Sequence, residues 1–451
     1  MNKITMNKII FFLASVIAAM TLASEASALP VFARQTGMEC AACHFQHFPL
    51  LNSFGRAFKT GGFTMIGAQA QVEGQGLSLP ATVNAAILTS MGYERTHADK
   101  LPGSPLNMSL GNASTGGFYV GSESGEASLF VGGRGSDFMG YLGEVTLGNG
   151  GAAMDSLKTP ILFDLNGTRV GPVFFSTNGQ GASYGFETLN TGANAIHSIT
   201  NTVGFQGQYI NAVSAQQWLG TGAAATGASI VAANDMGFVN VTKFTQVGPD
   251  HGTGGPAFTA LSSTYLRLAG TFDLAGWDSA IGVQDWMGRS LNITPGLGLA
   301  GINGEEDTKA WAVDGQTQGA LGSMPTGFYF SYATAPAGTL TSAGASSNAF
   351  NSSTTNRKNS LNIDAELGVM PDKATVGAAV RLANNVDTTG AKQKDKALYL
   401  TATYKLAQNL LTRLSYVHES GSYWDQLSGL GGTNAQDIGK SSYTVNLYAL
   451  F

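Results

Sequence analysis

Hydrophobic and polar positions follow three successive regimes along this chain. Behind Lys3 and Lys8, Ile9 to Leu22 form a continuous apolar run, of signal-peptide length and short for a membrane span. Ala26-Ser27-Ala28 is a small-x-small cleavage pattern, so residues 1–28 are expected to be a signal peptide and the mature chain to start at Leu29. Next, Phe45, Phe48, Leu51, Phe54 and Phe58 recur at spacings of three and four, interrupted only by Pro49. That spacing predicts an apolar helical face. From about residue 76 onward the period drops to two. Short alternating segments then recur between stretches rich in Gly, Ser, Thr and Asn, the pattern of β-strands joined by turns.

The expected fold is a transmembrane β-barrel over 76–451 with a small α-helical unit over 29–75 in front of it. A soluble sandwich or propeller would also alternate, so the last segment decides. In Lys440–Phe451, the residues Tyr443, Val445, Leu447, Ala449 and Phe451 share one strand face, and the chain ends on the aromatic. This resembles the terminal strand of bacterial outer-membrane barrels. Reading back from it, short turns are expected at 407–409, 370–373, around 323–325, 275–277, 166–167 and 134–137. Long loops are expected at about 420–439, 385–395, 336–359, 291–308, 247–263, 178–199, 148–158 and 94–125. About sixteen strands result, from 81–93 to 440–451. That even number brings both barrel ends to the periplasmic side. The segment 213–235 fits poorly: it should be a periplasmic turn but is long and Ala-rich, so it either folds into the lumen or hides a miscounted hairpin. Tyr93, Trp277, Trp286, Trp311, Tyr329, Tyr332 and Tyr416 lie near strand ends and suit interfacial girdles, or equally an ordinary β-core.

Composition sharpens this picture at one point. Gly makes up 60 of 451 residues, which suits many turns, and Cys only 2. Both cysteines fall in Arg34-Gln35-Thr36-Gly37-Met38-Glu39-Cys40-Ala41-Ala42-Cys43-His44. C-x-x-C-H is the attachment pattern of a c-type haem. The two thiols add to the haem vinyl groups, and His44 becomes the proximal iron ligand. A disulfide, half of a zinc site or a surface thiol pair are the plainer readings. Zinc wants four ligands, and only His47 is nearby. A disulfide across so short a loop gains little loop entropy. Export supports the haem reading, because haem is attached after export. For the distal ligand, Met65 lies twenty-one residues past His44 behind a glycine pair. His97 and His251 are weaker candidates, and a helical His47 would share the face of His44. Arg34, Arg56 and Lys59 could pair with haem propionates or simply be solvated.

Pro30–Met38, the Cys40–His44 motif, Phe45–Pro49 and Phe54–Lys59 together resemble one family. It is that of the fused monohaem cytochrome–porins, the outer-membrane iron oxidases of iron-oxidising bacteria. The match covers about thirty residues closely and the barrel by length and architecture. The resemblance implies one covalent haem c on Cys40, Cys43 and His44. It further implies electrons taken from Fe(II) outside and passed to a periplasmic c-type cytochrome or similar carrier. Glu305-Glu306-Asp307, in an expected outside loop, could draw Fe(II) in, though a solvated acidic loop is the plainer reading. Asp250 with His251 is weaker still. The formal net charge of −5 argues against nucleic acid. The competing reading is a diffusion channel with a haem plug, or an electron-export conduit to another acceptor.

Overall fold

The computed structural model describes residues 31–67, 69–97, 116–121, 127–148, 151–192, 214–249, 260–293, 302–339, 348–386, 392–422 and 441–451. The expected signal peptide, Asp250 and His251 lie outside these residues, as does the side chain of His97.

Sixteen antiparallel strands close into a barrel. They are β1 (Ala85–His97), β2 (Gly116–Val120 and Ala127–Arg134), β3 (Gly140–Gly148), β4 (Gly151–Pro160 and Phe163–Leu165), β5 (Thr168–Thr177), β6 (Ala225–Asn234), β7 (Gly237–Thr245), β8 (Ser263–Leu274), β9 (Trp277–Met287), β10 (Ala310–Leu321), β11 (Met324–Ala335), β12 (Lys358–Met370), β13 (Ala374–Val386), β14 (Lys392–Ala407), β15 (Leu410–Ser420) and β16 (Ser441–Leu450). β2 and β4 are each one strand in two pieces, since both pieces pair with the same neighbour. Closure comes from β16 on β1, in register from Ser441↔His97 to Leu450↔Leu88. A closed ladder leaves no strand edge with unpaired backbone groups.

The strand pattern is inverted relative to a water-soluble protein. On β14, Leu398 and Leu400 are about two-fifths exposed on the outer wall, whereas Tyr399 between them is fully buried in the lumen. On β16, Tyr443 and Val445 face out and Thr444 and Asn446 face in. An apolar wall around a polar, filled interior is stable in a bilayer, not in water. The fold is therefore an outer-membrane-type barrel. Of the expected girdle residues, Tyr93 and Trp311 do face outward, but Trp286 and Tyr329 are buried inside the lumen. Period-two parity, not aromatic character, decides which wall a side chain joins.

Tight turns gather at one end, at 135–139, 166–167, 235–236, 275–276, 322–323, 371–373 and 408–409. Asn166 and Gly167 both have positive φ, the form of a two-residue hairpin, and the Gly167 N–H donates to Asp164. The other end carries the longer connections. Two sequence expectations need correction. Residues 151–160 belong to β4, so the expected long loop at 148–158 is a short connection. The segment 213–235 is not one turn. Its front part folds into the lumen from the loop end, and 225–234 is strand β6, closed by the Asp235–Met236 turn. The two errors leave the count and the direction of every later strand unchanged.

Residues 31–80 precede the barrel and fill its turn-end mouth. They form α1 (Val31–Thr36), α2 (Cys40–Cys43), α3 (Ser53–Thr60) and a two-stranded ribbon, Gln71–Gly74 with Leu77–Pro80. The small unit thus runs past the expected boundary at 75, and β1 starts at 85, not 81. Phe32, Phe58 and Phe63 form its own core, with ring centroids 4.8–5.9 Å apart. So small a unit cannot bury enough apolar surface alone, and the barrel supplies the rest.

Candidate functional site

The Cys40–His44 stretch is built by short-range backbone geometry. α2 is a single helical turn holding both thiols, and the His44 N–H donates to Cys40 O at 2.9 Å. Asn52 caps α3 by accepting from the Gly55 N–H, and its own amide donates to Ala42 O at 3.0 Å. Gly55 lets α3 approach closely, since a Cβ there would sit 2.1 Å from Cys43 O. Both cysteines are free thiols. Burial raises the pKa of each, opposed at Cys40 by Lys405 and the Gln408 amide from the β14–β15 turn.

His44 is fixed as a neutral imidazole. Burial lowers its pKa to about 4. Its Nδ1 lies 3.0 Å from Leu50 O, and a carbonyl only accepts, so the proton sits on Nδ1. Nε2 keeps its lone pair. A backbone carbonyl orienting the imidazole in this way is the usual support of a metal-bound histidine. The ring of Phe48 packs edge-on against His44 at 5.4 Å. Two thiols on one turn and a histidine with an available Nε2 fit a covalently bound haem.

His47 is not on a helix with His44. The chain doubles back after His44: the Phe45 N–H donates to Leu50 O, and Gln46 takes φ 64°. Pro49 denies the segment a continuous helix, so only Phe54 and Phe58 of the expected apolar face are helical. This turns His47 toward the wall. Its Nδ1 donates to Phe48 O at 2.7 Å, and its Nε2 lies 2.7 Å from Glu366 of β12, both side chains being almost wholly buried. The two groups approach closely without forming a well-aligned hydrogen bond.

The other candidates sort as follows. Arg56 is taken up by Asp278 of β9, its Nη2 lying 2.6 Å from each carboxylate oxygen. Lys59 is enclosed, its pKa lowered by burial against the pull of Glu187. Arg34 is exposed. Met65 follows α3 with its carbonyl held by Gln35 Nε2 at 2.6 Å, while its side chain remains 38% exposed. Glu305, Glu306 and Asp307 lie at the loop end, in a hairpin of Arg289–Ile293 with Ile302–Asp307. Asp307 is paired with Arg289 at 3.2 Å and Lys309 at 2.9 Å, and Glu305 lies 3.8 Å from Arg289. Much of the charge that would draw a cation is thus already balanced. Among the described residues, no group of three or more His, Cys, Asp or Glu is arranged to hold a bare metal ion.

Several residues that hold the site escaped sequence reasoning. Buried Gln35 donates to Phe63 O and Met65 O and accepts from the Arg134 N–H of β2. Gln46 Nε2 donates to Pro325 O. From the loop end, residues 178–192 descend into the lumen, and Asn190 forms a reciprocal pair with Leu51: Leu51 N to Asn190 Oδ1 at 2.8 Å, and Asn190 Nδ2 to Leu51 O at 3.0 Å. The loop is itself tied to the wall through Glu187–Arg267–Asp314, at 2.8 and 2.7 Å, and Thr191–Asp314. Helix α4 (Ala215–Leu219) anchors further out, where Trp218 Nε1 donates to Asn384 O. The unit below and the loop above therefore meet inside the barrel. Among them only Asp314 stands out in the sequence, as the single charge on β10.

No family model and no curated protein matches the chain. Solved structures with a similar architecture include OprB of Pseudomonas putida, with a TM-score of 0.49 and 10% identity, covering 82% of this chain and 94% of that one. OmpF of Salmonella typhi gives 0.46 and 9%, covering 84% and 100%. OmpT, an outer membrane protein of Vibrio cholerae, gives 0.45 and 13%, covering 84% and 99%.

Proposed function

We propose that this chain is a monohaem cytochrome c seated in a porin-like outer-membrane barrel, working as an electron conduit rather than a diffusion channel. One observation carries the reading. The only two cysteines share a helical turn beside a histidine whose Nδ1 is spent on Leu50 O, and this turn sits half-buried at the mouth of a barrel. Cys40 and Cys43 would hold the macrocycle and His44 Nε2 its iron, with Met65 as the candidate opposite ligand. A bound haem supplies reversible one-electron chemistry. The chain's own residues hold the imidazole neutral, keep water from its proximal side through Phe48 and Leu50, and clamp the unit to the wall through Arg56–Asp278 and His47–Glu366.

With the turn end periplasmic, as both barrel termini require after export, the site lies toward a periplasmic acceptor such as a c-type cytochrome. Fe(II) as the electron donor follows from the family resemblance and from the site's one-electron chemistry. Glu305, Glu306 and Asp307 remain candidate guides for the cation at the opposite end.

The test uses the full chain, matured with haem and purified in detergent. A covalent haem band, and reduction of the ferric protein by Fe(II) with a midpoint potential followed over several pH values, are expected. A chain without covalent haem, or a ferric form inert to Fe(II), would refute the proposal. The channel reading is separated by planar-bilayer recording, where a steady open-pore current through the intact chain would favour it.

A further inference from the structure

The turn joining β14 and β15 brings a cation to this site that the functional reading leaves unassigned. Along β14, Asp395, Ala397, Tyr399, Thr401 and Thr403 face the lumen, while Lys396, Leu398 and Leu400 face outward. Continuing that parity turns Lys405 inward at the rim. Its backbone is fixed there: the Lys405 N–H donates to Lys373 O at 2.8 Å. The β14–β15 register slips between Lys405 and Ala407, a bulge of the kind that re-aims a side chain. The stretch that follows the two cysteines is held to the same rim two strands away, by Gln46 Nε2 donating to Pro325 O and by His47 against Glu366 of β12, and beside that placement the Lys405 charge and the Gln408 side chain oppose the effect of burial on the Cys40 thiol. The neighbouring lysine does the opposite. Lys373 Nζ lies 5.5 Å from the ring centroid of Tyr404, on the outward side of the strand.

We propose that Lys405 is the fixed cation of the haem site, supplied by the barrel wall rather than by the cytochrome unit, and that it raises the haem midpoint potential. This rests on the haem reading above. Loss of an electron adds positive charge to the iron, and an ammonium held near it in a partly dry mouth opposes that change. Removing the ammonium favours the ferric form. The sign is the same whether Lys405 faces the iron across the mouth or neutralises a propionate. The other charged groups of this mouth, Glu39 beside Cys40 and the His47–Glu366 pair, stay in place in the variants.

The experiment is equilibrium redox titration of the haem-loaded full chain and four variants, with absorption spectra and heat-modifiable gel migration to check ligation and barrel closure. Lys405→Met should lower the midpoint with an unchanged spectrum, and Lys405→Glu should lower it further. Lys405→Arg and Lys373→Met should match the unmodified chain. An unmoved midpoint in Lys405→Glu overturns the inference. So does a spectrum altered in Lys405→Met, which would make Lys405 an iron ligand, and so does a Lys373→Met shift as large as that of Lys405→Met. Absence of covalent haem in the unmodified chain overturns the functional reading itself, whereas a loaded chain indifferent to Lys405 overturns this inference alone.

Discussion

At the scale of single residues, the site is governed by where protons and lone pairs can sit. Replacing both Cys40 and Cys43 with Ala is expected to abolish the haem-staining band while leaving the barrel's heat-modifiable migration intact. Met65→Ala should shift the haem spectrum and potential, and an unchanged spectrum would dismiss Met65 as a ligand. His44 gives a pH prediction for the haem-free double variant. Burial depresses the folded pKa to about 4 from 6.5, so between those values the native unit binds fewer protons than the unfolded one. The stability this confers is complete above pH 6.5 and declines as pH falls toward 4. Protease susceptibility of residues 31–80 should rise over that window. The single turn that carries Cys40, Cys43 and His44 was legible at once, because its spacing is a local property. Gln35, Glu366 and Lys405 were not, since each acts across tens or hundreds of residues, and nothing in a neighbouring sequence position announces such a partner.

Elements are held by a few cross-contacts between the N-terminal unit and the wall. Glu366 and His47 are almost wholly buried against one another, so Glu366→Ala, which leaves His47 Nε2 without the carboxylate it faces, should loosen the unit by about 1–3 kcal/mol. Asp278 is one-third exposed, so Asp278→Ala should cost about 1 kcal/mol after screening. Gln35→Ala, which orphans the buried Phe63 carbonyl and the half-buried Met65 carbonyl, should cost about 1–3 kcal/mol. Proteolysis of the mouth on isolated outer membranes would rank the three. The strands were readable wherever an outward apolar residue alternates with an inward polar one, as at Leu398-Tyr399-Leu400. They were misread where that alternation breaks, as in 148–158, where a bulge between Met154 and Ser156 leaves Met154 and Leu157, three residues apart, both facing out. The helix expected through Phe45–Phe58 shortened because spacing alone ignores the backbone that Pro49 and Gln46 impose.

At the scale of the whole molecule, the lumen is occupied from both ends. Deleting residues 31–84 should convert a silent barrel into a conducting one in planar bilayers. Sixteen strands and their direction followed from turn chemistry and parity, which repeat along the chain. The filling of the lumen did not follow, because a loop such as 178–192 carries no periodic signal that tells inside from outside. The reciprocal amide pairing of Asn190 with Leu51 has a mechanical meaning. Stopper and lid are pinned to one another through the hollow of the cylinder. A force or a bound molecule that lifts the lid tugs on the seat of His44, so what happens at one rim is felt at the other without anything crossing the wall.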